Sequence, residues 1–229
     1  MNIIVNGGTR GIGKEVVLYL AKDINNQILV TGRNEKALKS LSSGFKNVHA
    51  LPLDLSVFDK QAEMFEKAVS GHFRYVDILI NMAGLLIAKE ITKTTSTEAR
   101  LMMETNFIGP SSVIRIVKPL MHEGSHIVNI SSMGGFQGSS KYKGLSYYSA
   151  TKAALACFSE CLATEFMDSG VRVNCLALGS VQTEMFEEAF PGHKAPVNAK
   201  EMAEYICDFA LRGQNYFNGK ILPVASNNP

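Results

Sequence analysis

Asn2-Ile3-Ile4-Val5-Asn6-Gly7-Gly8-Thr9-Arg10-Gly11-Ile12-Gly13 joins an apolar run to a glycine-rich turn, and a helical pattern follows through Val16, Val17 and Leu20. The run from Asn2 to Val5 reads as a short buried strand. Strand, glycine turn and helix in that order open a dinucleotide-binding βαβ unit. The reason for glycine is steric. The turn must be tight, its backbone must come close to a pyrophosphate, and the helix must pack near the strand. The helix N-terminus then offers unpaired N–H groups and a positive dipole end to the phosphates. Gly7, Thr9, Arg10, Gly11, Ile12 and Gly13 are therefore candidate cofactor-binding residues. A glycine turn alone also fits a loop that needs only positive φ, so the rest of the chain has to decide.

Outward from this unit, apolar runs over 27–31, 48–53, 75–80, 125–130, 171–176 and 220–223 read as further strands. Helical patterns lie between them over 35–41, 57–69, 97–121, 147–167, 184–190 and 199–211. Pro110 is expected to bend the third of these, because proline removes a backbone donor, and Gly170 is expected to cap the fourth. Alternation of this kind predicts a single α/β domain over 1–229: a doubly wound Rossmann fold, with a mostly parallel seven-stranded sheet covered by helices on both faces. Ligands of such sheets sit beyond the carboxyl ends of the strands. Six polar or glycine-rich motifs fall at those ends: the 7–13 turn, Arg33, Asp54, Asn81, Ser132 and Gly179.

Composition excludes several other classes. A formal charge of +2 points to neither a nucleic acid nor a membrane surface. No apolar run approaches the roughly 20 residues that cross a bilayer. The N-terminus lacks a cationic segment followed by a long apolar one, so no signal peptide is expected and a cytoplasmic location is. Cys157, Cys161, Cys175 and Cys207 show no Cys-x-x-Cys spacing and read as small buried hydrophobes. The histidines are scattered, and no metal is expected.

Two positions speak to chemistry. At the end of the second strand an acidic residue would hold the ribose 2′-hydroxyl of NAD, whereas arginine accommodates the 2′-phosphate of NADP. This chain has Arg33 there, and Arg10 can face the same phosphate, which favours NADP(H) over NAD(H). Tyr148 and Lys152 stand four residues apart in a helical run, so they share a face. A neighbouring cation would lower the phenol pKa from about 10 and fit Tyr148 for proton transfer at neutral pH.

Taken together these residues resemble the short-chain dehydrogenases/reductases over nearly the whole chain. Gly7-x-x-x-Gly11-Ile12-Gly13 matches that family's cofactor turn, and Asn81-Met82-Ala83-Gly84 matches its Asn-Asn-Ala-Gly run, with Met82 for the second Asn. Asn106, Ser132, Tyr148 and Lys152 match its catalytic tetrad in order and approximate spacing, and Val181-Gln182-Thr183 matches its segment along the nicotinamide and pyrophosphate. Asn6 stands where the family usually has Thr, and Leu178 replaces the Pro of a Pro-Gly pair. The 132–148 interval is slightly long, and the chain ends soon after the last strand, which leaves 180–197 as a modest lid.

The resemblance implies hydride transfer between NADP(H) and a carbonyl or secondary alcohol. Tyr148 would act as general acid/base, with Lys152 lowering its pKa and bonding the nicotinamide ribose. Ser132 (with Ser131 as its neighbouring candidate) would donate to the substrate oxygen, and Asn106 would hold a water of the proton path. Asp54 would contact adenine beside Leu55, unless it serves only as a helix N-cap. Asn81, Ala83, Gly84, Gly179, Val181 and Thr183 complete the implied cofactor set. The expected wall of Leu85, Leu86, Gly134, Phe136, Tyr142, Met185 and Phe186 has no charged anchor and suits a neutral or apolar carbonyl. A 3-oxoacyl-thioester reductase is one subtype. A catalytically silent NADP-binding regulator on the same fold is the alternative from another class. The family's habit of pairing through its two long central helices implies a homodimer or homotetramer.

Overall fold

In β1 (Asn2–Asn6) Ile3 and Val5 turn to one face and Ile4 to the other, and all three are fully buried. The same division runs through β2 (Gln27–Gly32) and, beyond β3 (Val48–Pro52), through β4 (Val76–Asn81). Side chains that are apolar on both faces belong to a sheet covered on both sides. In the computed structural model, which describes residues 1–225, two separate apolar cores form accordingly. One lies under α1 (Gly11–Leu20), α2 (Glu35–Gly44) and α8 (Ala199–Arg212). The other lies under α3 (Ala62–His72), α5 (Gly109–Val117) and α6 (Ser146–Glu165).

The remaining strands are β5 (Met121–Ser132), β6 (Arg172–Leu178), β7 (Val181–Gln182), β8 (Val197–Asn198) and β9 (Ile221–Val224). The main sheet has seven strands in the order β3-β2-β1-β4-β5-β6-β9, and every pairing is parallel. The chain winds outward one way from β1 and the other way from β4. The crevice between the carboxyl ends of β1 and β4 is thus the topological switch point, where ligands of doubly wound sheets bind.

Several local expectations change. The helix expected over 97–121 runs on through α4 (Ser96–Met103), one widened π-type turn (Glu104–Ile108) and α5, and ends in a 3-10 turn (Lys118–Leu120). Pro110 lies inside this continuous helix, two residues past the widened turn, and its missing N–H withholds the i+4 bond from the Asn106 carbonyl. Gly109 lets the helix pack against Leu55, whose carbonyl oxygen would stand 2.6 Å from a Cβ there. The chain is extended again by Met121, four residues before the expected fifth strand. The 57–69 helix opens instead as a 3-10 stretch (Leu55–Lys60). β7 and β8, too short for any alternation to show, pair with each other and close the base of a lid that contains α7 (Glu184–Ala189). Gly170 does take a left-handed conformation, φ +67°, at the end of the turn after α6. Leu178 completes β6 opposite Val224.

Only Cys175 and Cys207 are buried; Cys157 and Cys161 are exposed. The sheet-facing side of α6 is taken by Thr151, Lys152, Leu155, Ala156 and Ser159, several of them bonded across to β5, which turns the two thiols outward. No helix among the described residues is long and apolar enough to cross a membrane.

Candidate active site

The glycine turn has no room for side chains. Gly7, at φ +86°, donates from its N–H to the Thr31 carbonyl at 2.9 Å, and Gly8 shares the same acceptor at 3.1 Å. A Cβ on Gly7 would stand 2.6 Å from Ala83 Cα, and one on Gly13 only 2.1 Å from the Gly7 carbonyl oxygen. The first contact presses the end of β1 onto the end of β4. The second seats α1 on its own entry turn.

Beneath the turn a hydrogen-bonded chain crosses four strands in register. Thr31 Oγ1 donates to Asn6 Oδ1 at 2.8 Å, Asn6 Nδ2 to Asn81 Oδ1 at 2.7 Å, and Asn81 Nδ2 to Asn129 Oδ1 at 2.8 Å. Asn129 Nδ2 donates to Ser159 Oγ at 2.9 Å, and that hydroxyl donates to the Leu155 carbonyl. All five side chains are buried, so each bond satisfies a group that water cannot reach. Asn6 is thus a member of the sheet's polar chain, and so is Asn81, whose side chain does not line the cleft.

The catalytic candidates meet at the end of β5 and the start of α6. Lys152 is pinned at both ends: its carbonyl accepts from Ser131 Oγ at 2.8 Å, and its ammonium donates to the Ile130 carbonyl at 2.9 Å. Ser131 is therefore committed to α6, while Ser132 accepts from the Gly134 N–H at 3.1 Å and keeps its hydroxyl beside the Tyr148 phenol. Burial lowers Lys152 to about 8, with the neighbouring Cys175 acting in the opposite sense, so the amine is still mostly cationic at pH 7. The Tyr148 phenol departs from expectation. Burial pushes it above its ordinary value, Ser132 pulls it down, and Lys152, occupied by the Ile130 carbonyl, does not reverse the shift. At neutral pH Tyr148 thus carries its proton and is poised as an acid.

Asn106 is fully buried and does not line the cleft. Its Oδ1 accepts from the Leu85 N–H at 2.7 Å, and its Nδ2 donates to the Leu85 carbonyl at 2.9 Å and to Thr151 Oγ1 at 2.9 Å. Thr151 in turn donates to the Tyr148 carbonyl at 2.8 Å. The amide is used by protein partners, so its visible task is to hold the first turns of α6 in place.

A single cleft of about 590 Å³ runs along these strand ends. Every expected cofactor residue except Asn81 lines it, as do Ser132, Tyr148 and Lys152. At its adenosine end Arg33 is exposed, and Arg10 Nη1 lies 3.2 Å from Glu188 Oε1 of α7. Asp54 caps the following 3-10 turn by accepting from the Ser56 N–H at 3.0 Å, and it also lines the cleft. Of the expected substrate wall, Leu86, Gly134, Tyr142, Met185 and Phe186 are present, and Leu85 and Phe136 are not. Leu85 is drawn aside by its two bonds to Asn106.

Sequence reasoning passed over Thr105, Met133, Phe190, His193 and Lys194, all of which line the cleft. Phe190 was detectable as one turn beyond Phe186; the others had no pattern to flag them. Thr105 is informative because its Oγ1 is buried without a protein partner. An orphaned hydroxyl on a residue that lines the cleft fits a bound dinucleotide.

The chain is similar to several known proteins. A family model described as short chain dehydrogenase matches residues 1–194. An NADP-dependent 3-hydroxy acid dehydrogenase of Schizosaccharomyces pombe is 29% identical over 229 residues, covering 93% of this chain and 88% of that protein. An uncharacterized oxidoreductase of Staphylococcus epidermidis is 28% identical over 94% of this chain and 92% of its own. Among solved structures, ElxO with NADP bound superposes with a TM-score of 0.81 at 26% identity, covering 97% of this chain and 96% of that one. A short chain dehydrogenase of Burkholderia cenocepacia in complex with NADP superposes at 0.86 and 21% identity, over 99% and 96%, and supports the fold.

Proposed function

The chain belongs to the short chain dehydrogenase family of oxidoreductases, and on that premise we propose that it interconverts a carbonyl compound and a secondary alcohol with NADP(H) as cofactor. The observation that carries this reading is the convergence of Ser132, Tyr148 and Lys152 on one cleft beside the glycine cradle. The cofactor supplies the hydride; the chain positions it and handles the proton. Gly7 to Gly13 and the N-terminus of α1 hold the pyrophosphate, and Arg10 and Arg33 serve the 2′-phosphate. Tyr148, protonated at neutral pH, gives its proton to the carbonyl oxygen and takes it back in the reverse direction. Ser132 donates a hydrogen bond to the same oxygen as negative charge develops. Lys152 orients the nicotinamide ribose with the ammonium donors that Ile130 leaves free. Asn106 acts as a positioning residue for α6 through its engaged amide, and its backbone carbonyl, which Pro110 denies an i+4 donor, would hold a water of the proton path.

The body of the substrate is apolar, to match Leu86, Met133, Leu145 and Phe186. His193 and Lys194 at the rim add what the expected wall lacked, a lysine ammonium beside an imidazole, and the ammonium suits an acidic group such as the carboxylate of a 3-oxo acid. That second, narrower reading is in keeping with the name of the fission-yeast relative. The proposal includes a cytoplasmic setting, in keeping with four cysteines that are all free thiols. It also includes a homodimer or homotetramer built on the outward side of α6, where Phe158 meets Phe107 edge-on at 5.5 Å; a monomer-sized sedimentation coefficient at micromolar concentration would overturn this part.

The test is NADPH oxidation against a panel of ketones and 3-oxo acids, with Tyr148→Phe as the key variant. Tyr148→Phe is expected to cut turnover by about 100- to 10,000-fold while NADPH still binds. If NADPH binds and no carbonyl compound is reduced, the regulator reading replaces this one.

A further inference from the structure

The short lid helix α7 carries Glu184, Glu187 and Glu188. Glu184 and Glu188 are one turn apart and share a face. That face meets the cofactor turn. Glu188 Oε1 lies 3.2 Å from Arg10 Nη1, and a Cβ on Gly11 would stand 3.5 Å from Glu184 Oε2. Arg10 is also the residue from which α1 starts, so the acids lie beside both a guanidinium and the positive end of a ten-residue helix. These are the features assigned above to the phosphates of the cofactor. Glu187 faces elsewhere, accepting from Gln182 Nε2 at 2.7 Å. Arg33, the other arginine at this end, has no carboxylate within ion-pair distance among the described residues.

We infer that Glu188 sets the coenzyme preference by competing with the 2′-phosphate for Arg10. The inference rests on the NADP(H) reading of the cleft. A guanidinium bound to a carboxylate must release it, or share its donors, before it can serve a phosphate. Glu188 also places a negative charge near an incoming dianion. Both effects oppose NADP(H) more than NAD(H), which has no 2′-phosphate and meets the charge only through its pyrophosphate. The preference for NADP(H) is thereby held below what Arg10 and Arg33 could give, and α7 is bound to the cofactor turn through the same carboxylate.

The experiment measures dissociation constants of NADPH and NADH, by fluorescence of the reduced nicotinamide, for the wild-type chain and for Glu188→Gln, Glu187→Gln, Arg10→Lys and the Arg10→Lys/Glu188→Gln double variant. An exposed ion pair is a weak competitor, so Glu188→Gln is expected to tighten NADPH by about two- to fivefold and NADH by clearly less. The gain should shrink in about 1 M salt, where the screening length is about 3 Å. It should also shrink in the Arg10→Lys background, where the planar fork is gone. Glu187→Gln, which removes the same charge from the same helix, should not reproduce it. Weaker NADPH binding in Glu188→Gln would show that Glu188 positions Arg10, and overturns the inference. So does an equal gain for NADH, or the same gain from Glu187→Gln. If the wild-type chain binds neither nucleotide, the functional reading itself fails. If it prefers NADPH and Glu188→Gln leaves the ratio of the two constants unchanged, only this inference falls.

Discussion

The cofactor cradle and the lid face each other across one cleft, yet they are built by opposite means. The cradle is made of backbone. Gly7 and Gly13 are in contact with neighbouring main chain, and the asparagine chain beneath them is buried and bonded end to end. The lid is made of exposed and half-buried side chains. It is tied down by one pair of two-residue strands, an ion pair from Arg10 to Glu188, and a ring contact from Phe190 to Tyr142 at 6.2 Å between centroids. Backbone against backbone leaves one solution. Exposed side chains leave several of similar free energy, which suits a segment that must admit substrate.

Matched glycine substitutions should break this contrast if it is wrong. In Gly13→Ala the new methyl would stand 2.1 Å from a carbonyl oxygen, and no rotamer can relieve it. The expected loss is about 3 kcal/mol or more, at the upper end for overpacking, together with loss of NADPH binding. Gly192, in the lid, has φ +79°, and a Cβ added to it would meet nothing within 4 Å. Gly192→Ala meets only the left-handed backbone penalty, about 1–2 kcal/mol. Urea unfolding of both variants decides it: equal losses would mean that the cradle yields as readily as the lid.

The asparagine chain gives a second, smaller contrast. Asn129→Ala removes the acceptor of Asn81 Nδ2 and the donor to Ser159. Leaving such buried groups unpaired should cost about 1–3 kcal/mol in the same unfolding experiment. A loss below about 0.5 kcal/mol would show that water or a neighbour takes over the bonds, and the base of the cradle would then be no more rigid than the lid.

What could be read from the sequence follows the same division. The glycine turn and the parallel sheet were legible because steric need and alternation leave periodic marks; spacing gave the Tyr148–Lys152 pair, and the family resemblance added Ser132 to it. Asn129 was equally available, as a lone amide between Val128 and Ile130 beside Asn81 on the neighbouring strand, but its partner depends on strand order. The sign of the Tyr148 shift was not legible. It is decided by burial of the phenol, which outweighs the Ser132 hydrogen bond, while the Lys152 ammonium donates to a carbonyl on β5. The roles of Glu188, His193 and Lys194 depend on how an irregular segment folds back, and no periodicity encodes that.

Phe190 sharpens the comparison with the smallest effect on stability. Its ring is half-buried and touches rings from three places: Phe186 in α7 at 5.2 Å, His193 at 6.4 Å and Tyr142 at 6.2 Å. Tyr142 lies in the loop before α6, so Phe190 is what joins the lid to the opposite wall of the substrate end. Phe190→Ala deletes that join without opening either apolar core. Global stability should fall by no more than about 1 kcal/mol, because the cluster is partly solvated and each ring pair adds little. The effect should appear instead in turnover, as a several-fold higher KM for the carbonyl substrate with NADPH affinity unchanged, and as faster proteolytic cleavage within 183–196. A stability loss as large as that of Asn129→Ala would place Phe190 in the folded framework, and the lid would then share the rigidity of the cradle it faces.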